Sequence, residues 1–146
     1  MQQATSLAIP PPVRIWGLTC PGFPEEVRRA RRWALDILGD CPKSDNAELI
    51  VSELATNALI HTASRSDVFH VALIRSAHVL AISVTDRGGT DSSPRVEHPD
   101  GDSLHGRGLG IVALLATHVH VEGDRTGRTI TAEIRLPPAP PGAQWP

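Results

Sequence analysis

The chain has 146 residues, 40% hydrophobic and 21% charged, which is the size and composition of one globular domain able to bury a core of its own. With 14 basic against 16 acidic residues the formal net charge is -2, so the broad positive field that attracts a phosphate backbone or an anionic membrane is missing, and neither is an expected partner. Aromatic residues make up 3%, with no Tyr, so the core has to come mainly from Leu, Ile, Val and Ala.

Prolines punctuate both ends, at Pro10, Pro11 and Pro12 and again at Pro137, Pro138, Pro140 and Pro141. Proline lacks the backbone donor that helices and sheets need, so 1–12 and 138–146 read as extended tails around one folded unit, 13–137. Within it, the segment from Glu25 to Leu38 carries Val27, Ala30, Ala34, Ile37 and Leu38 at helical spacing, follows Pro24, opens with two acids and stops at Gly39. A second helix begins at Ser44 or Asp45, where Asp45 and Glu48 are spaced as a loose capping box, and runs to about His61. Two β runs follow, 68–75 and 78–85, with only Ser76 and Ala77 between them, as in a hairpin. In the second run Leu80, Ile82 and Val84 alternate onto one face.

At Asp86-Arg87-Gly88-Gly89 the strand pattern gives way to turn chemistry. The stretch 90–105 holds Asp, Ser, Pro, His and Gly with hardly an apolar residue, and loops of that length inside a domain tend to carry function. Gly106-Arg107-Gly108-Leu109-Gly110 then leads into an apolar run, 111–116, that reads as a helix with a glycine-rich start. A short strand at 119–122, a turn at 123–127 and a last strand at 128–136 complete the unit. The order α-α-β-β-loop-α-β-β implies an α+β fold, a two-layer sandwich of a mixed, mostly antiparallel sheet with helices on one face. Cys20 and Cys41 form no C-x-x-C pair and suit neither a disulfide framework nor a thiolate metal site. With no leader-like start and no apolar run of ~20 residues, a cytoplasmic location is expected.

Glu53 and Asn57 lie four apart on the second helix and project from one face. An amide oxygen can give one ligand to a Mg²⁺ whose other ligands are phosphate and water oxygens, and a carboxylate one turn away can take a proton from a hydroxyl. The same spacing also describes the wet side of an ordinary amphipathic helix. Asp86 can accept from an exocyclic amine while Gly88 and Gly89 let backbone approach a flat base, or it can be a plain Asp-Gly turn. Backbone N–H groups at 106–110, with Arg107 beside them, can hold a phosphate, or the glycines can form a hinge. The pattern is not the dinucleotide fingerprint, because Ile111 stands where its third glycine is due, and a Walker Gly-Lys-Ser/Thr is missing. His118 and His120 share a strand face without a Cys or carboxylate at ligand spacing, and read as surface histidines.

Taken in order, these elements resemble the GHKL ATPase superfamily with its Bergerat ATP-binding fold, and within it the anti-sigma factor serine kinases. Val51-Ser52-Glu53-Leu54-Ala55-Thr56-Asn57-Ala58 followed by His61 looks like the N box, and Val84-Thr85-Asp86-Arg87-Gly88-Gly89 like the G1 box. His105-Gly106-Arg107-Gly108-Leu109-Gly110-Ile111 is similar to the G2 box, and Gly127-Arg128-Thr129 to the closing Gly-Lys/Arg-Thr element, so the resemblance spans 23–137. It implies Asn57 as a Mg²⁺ ligand, Glu53 as catalytic base, Asp86 with Gly88 on adenine, and Gly106, Gly108 and Gly110 around the phosphates of ATP. It also implies Arg107 near the terminal phosphate, Thr129 near Asp86 and adenine, His61 and Leu109 in the nucleotide-binding set, and 90–105 in the place of the ATP lid.

One departure lies in the G1 element, where a common form is Asp-x-Gly-x-Gly: here the second glycine is Gly89 and Thr90 stands in its place. Histidine kinases share the fold but add a helical dimerisation segment bearing the phospho-accepting His, for which 1–19 leaves no room. The resemblance therefore implies an ATP-binding anti-sigma factor with serine/threonine kinase activity. Its cofactors would be ATP and Mg²⁺, and its partners a sigma factor and a STAS-domain anti-anti-sigma protein. The alternative is a catalytically weak or inactive binding module of the same fold, which Thr90 favours. A homodimer is left open.

Overall fold

The computed structural model describes residues 12–61, 67–87, 109–124 and 126–138. In chain order it comprises β1 (Arg14–Pro21), α1 (Glu25–Leu38), α2 (Ser44–His61), β2 (Val68–Arg75), β3 (Val79–Asp86), α3 (Gly110–Leu115), β4 (His118–Asp124) and β5 (Gly127–Arg135). The strands form one five-stranded sheet in the order β1-β2-β3-β5-β4, and each neighbouring pair is antiparallel. The helices pack on one side of it, giving the α+β two-layer sandwich that the element order implies.

Strand periodicity explains which side the helices cover. Phe69, Val71 and Leu73 of β2, Leu80, Ile82 and Val84 of β3, and Ile130, Ala132 and Ile134 of β5 are all buried, each two residues from the next. Onto this face α2 brings Ala47, Ile50, Val51, Leu54, Ala55 and Ala58, a buried arc wide enough to meet the sheet, α1 and α3 together. The buried residues of α1 are Ala30, Ala34 and Leu38, and two alanines one turn apart let the α1 backbone lie close against α2. Pro24 and Gly39 bound α1 where the sequence places its ends. Glu48, spaced as a capping partner for Asp45, reaches across to α1, where Arg31 Nη2 donates to its Oε2 at 3.4 Å.

Two local features differ from the sequence expectation. Strand β1 was not foreseen; it pairs with β2 from Arg14 opposite Arg75 to Pro21 opposite Val68. Its inward residues are Trp16, Leu18 and Cys20, and an edge position tolerates Pro21 because the outer side of that strand has no ladder partner to donate to. Strands β4 and β5 extend closer together than the 123–127 turn predicted, with Asp124 opposite Gly127. The Thr126 hydroxyl and amide donate to Asp124 Oδ1 at 2.6 and 2.8 Å and hold that carboxyl below the usual carboxylate range. Gly123, at φ 113°, has no room for a side chain, since a Cβ there would lie 2.8 Å from the Arg128 Cα.

Both cysteines are buried free thiols. Burial pushes Cys20 up to about 11 and raises Cys41 as well, because a thiolate without water around it is disfavoured. Neither thiol is expected to react with Ellman's reagent at pH 8 until guanidinium unfolds the chain. The Cys20 contribution to stability is fully present below pH 9.0 and is lost as pH rises through about 11. Urea unfolding at stepped pH checks this, and a Cys20→Ala variant with the same alkaline loss would remove Cys20 as its cause.

Candidate functional site

The site forms where charged residues fall in phase with apolar rows. On β3 the buried positions run Leu80, Ile82, Val84 and then Asp86, the last residue of the strand, which is 5% exposed. On β5 the row Ile130, Ala132 and Ile134 is preceded in the same phase by Arg128, which is 1% exposed. Asp86 and Arg128 sit directly opposite each other in the β3–β5 ladder, so both side chains point into the helix layer. Above them α2 contributes Asn57, 2% exposed, carried on the arc that also holds Leu54, Ala55 and Ala58.

Arg128 connects all three elements. Its Nη2 donates to Asn57 Oδ1 at 3.1 Å and to Asp86 Oδ2 at 3.4 Å. Removing a guanidinium from water is costly, and the carboxylate and amide oxygens it meets are what make its burial tolerable. Glu53 lies one helical turn before Asn57, half-buried at the margin of the same helix. The structure brings Asn57 and Asp86 to one guanidinium, with Glu53 one turn along α2, and adds Arg128, which the sequence motifs do not single out. The available signal was its phase: a charged side chain two residues before Ile130 belongs to the buried face.

Thr129 is placed differently from expectation. A residue one step from Arg128 faces the other side of the sheet, and there the Thr129 and Thr85 hydroxyls share a hydrogen bond of 2.8 Å. The side chain that meets Asp86 is Arg128, and the Thr129 side chain is directed away from it. Leu109 is buried at the start of α3, and Gly110 is the first residue of that helix. Gly88, Gly106, Arg107 and Gly108, and the side chain of His61, lie outside the described residues. The rings of His118 and His120 lie tilted on β4 with centroids 6.2 Å apart, and His120 Nε2 is 3.6 Å from Glu133 Oε2. Among the described residues no group of three or more His, Cys, Asp or Glu is placed to hold a metal ion.

A family model for a histidine kinase-like ATPase domain matches residues 20–134. The chain belongs to the histidine kinase-like ATPase family. That membership supports an ATP-binding regulatory function and is consistent with the sandwich described above. No curated protein matches the chain. In this ATPase domain no helix of the described residues is long and apolar enough to cross a membrane.

The family usually pairs ATP with Mg²⁺, so the donor set can be tested against each. Asp86 suits a nucleotide base: it is a carboxylate acceptor at the carboxyl end of a strand, at the margin between sheet and helix layer. For the metal the fit is poor. Asn57 offers one side-chain oxygen, and a guanidinium already donates to it. A divalent ion on that oxygen would bring like charges together in a buried setting, where two unit charges ~4 Å apart interact by about 4 kcal/mol. The Mg²⁺ role implied for Asn57 thus disagrees with the placement of Arg128.

Proposed function

We propose that this histidine kinase-like ATPase is an anti-sigma factor that phosphorylates a serine or threonine of a STAS-type anti-anti-sigma partner. The observation that supports the reading best is the convergence of Asn57 on α2 with Asp86 on β3, with Glu53 one turn away. Asp86 would accept a hydrogen bond from the exocyclic amine of adenine and so orient the nucleotide with its phosphates toward the start of α3. The partner's hydroxyl oxygen would attack the γ-phosphorus as the bond to the β–γ bridging oxygen breaks, ADP leaves, and the hydroxyl proton passes to the Glu53 carboxylate. The backbone roles of Gly106, Gly108 and Gly110, and the charge of Arg107, enter by motif resemblance alone.

A second reading has an observation of its own. Arg128 engages both Asn57 and Asp86, which suits a domain that uses nucleotide to select a protein partner and transfers phosphate weakly or not at all. Titration calorimetry with ATP, followed by incubation with γ-labelled ATP and a STAS-domain protein, separates the two. Binding with label on the partner is expected. Binding without transfer leaves the module reading, and no binding removes the kinase.

A further inference from the structure

Arg128 has no part in the reaction proposed above, yet it heads the largest fully buried side chains among the described residues. Its guanidinium cannot lose its proton, so the positive charge beneath α2 is permanent. It is also fixed in place. The β5 backbone at Arg128 is paired on one side with Asp86 and on the other with Gly123, whose close approach leaves no slack for the strand to shift. From that position Nη2 donates to Asn57 Oδ1 at 3.1 Å and to Asp86 Oδ2 at 3.4 Å.

Magnesium binds through oxygen lone pairs and accepts little departure from octahedral geometry. For Asn57 to serve it, the amide oxygen would have to offer its second lone pair to the ion while Arg128 Nη2 still donates to the first. The incoming divalent charge would then face a fixed cation of the same sign. The observation runs against the metal role by charge: the one ligand atom that Asn57 can offer already accepts from a fixed cation of the chain itself.

Resting on the nucleotide-binding part of the proposed function, we infer that Arg128 is a specificity-determining residue. It ties Asn57 to the fold in place of a divalent ion, so adenine nucleotide binds this domain equally with and without Mg²⁺. Asn57 then acts as a positioning residue, holding α2 over the β3–β5 ladder. Any Mg²⁺ that arrives with the triphosphate keeps phosphate and water ligands and gains none from Asn57.

The test is calorimetric titration of the full chain with ADP and with the non-hydrolysable analogue adenylyl imidodiphosphate, in millimolar MgCl₂ and in EDTA. Dissociation constants within threefold of each other in the two buffers are expected, and Asn57→Ala should weaken binding by the same factor in both. A constant that rises more than threefold in EDTA overturns the inference and leaves the ATP-binding reading standing. No binding in either buffer removes that reading and the inference with it. Arg128→Met supplies the complementary measurement: releasing Asn57 should make binding depend on Mg²⁺ by at least tenfold. Should that variant fail to fold, the parent chain in the two buffers decides.

Discussion

Replacing Arg128 by Met is expected to lower the unfolding free energy by about 3–5 kcal/mol, the usual cost of breaking a buried charge pair from one side. The methionine fills most of the volume of the arginine stem, so the loss comes from the contacts that the Asp86 carboxylate and the Asn57 amide make with the guanidinium, with only a small cavity contribution. Asp86→Asn should cost a comparable amount for the mirror reason, a guanidinium deprived of its countercharge. The double variant should lose less than the two single losses added together, by 1 kcal/mol or more, because each single change already breaks the same contact. Urea unfolding followed by circular dichroism measures all three. A loss under about 1 kcal/mol for Arg128→Met would mean that the bridge is incidental to the fold. Strict additivity would mean that the two residues act apart.

A second large effect is expected at Glu53. Glutamine keeps the shape of the side chain and its half-buried position but cannot take up a proton. If Glu53 is the base of the proposed transfer, Glu53→Gln should slow label transfer to the STAS partner by 10²- to 10⁴-fold, about 2.7–5.4 kcal/mol in the barrier. Its melting temperature and nucleotide dissociation constant should match those of the parent. The pairing of those readouts matters: a parallel fall in affinity would show a binding role, and equal transfer rates would favour the partner-selecting module. Arg128 on β5 and Glu53 on α2 therefore probe two aspects of that helix, one what holds it down and the other what it does.

Much of the architecture could be read from local chemistry. Glu25 to Leu38 announces itself by apolar spacing between a proline and a glycine, and the β2–β3 pair by two β-rich runs, the second alternating, with almost nothing between them. Strand β1 escaped because an edge strand needs only one apolar face, and Trp16, Leu18 and Cys20 flanked by prolines look like the end of a tail until β2 is set beside them. Asn57 and Asp86 stand out by motif, and the structure buries both between α2 and β3. Thr129 was misplaced by a matter of phase. The closing motif fixes which residues follow Gly127, whereas the register of β5 on β3 decides which of them faces inward, and a step of one residue exchanges the faces. Register is a long-range property, and the spacing of letters in one segment does not carry it.

The strand order has a consequence for how the molecule comes together. Strand β5 lies between β3 and β4, so β4 joins the sheet only through a segment that comes after it in the chain. During synthesis, β1, β2, β3 and both longer helices can associate while the ladder edge of β3 stays open and Asp86 lacks its guanidinium. The final hairpin must then dock as a unit, closing the sheet and inserting Arg128 under α2 in one event. A chain cut before residue 127 would not be a slightly shorter domain: it would expose a strand edge along the middle of its sheet and leave the site without the group that joins its parts.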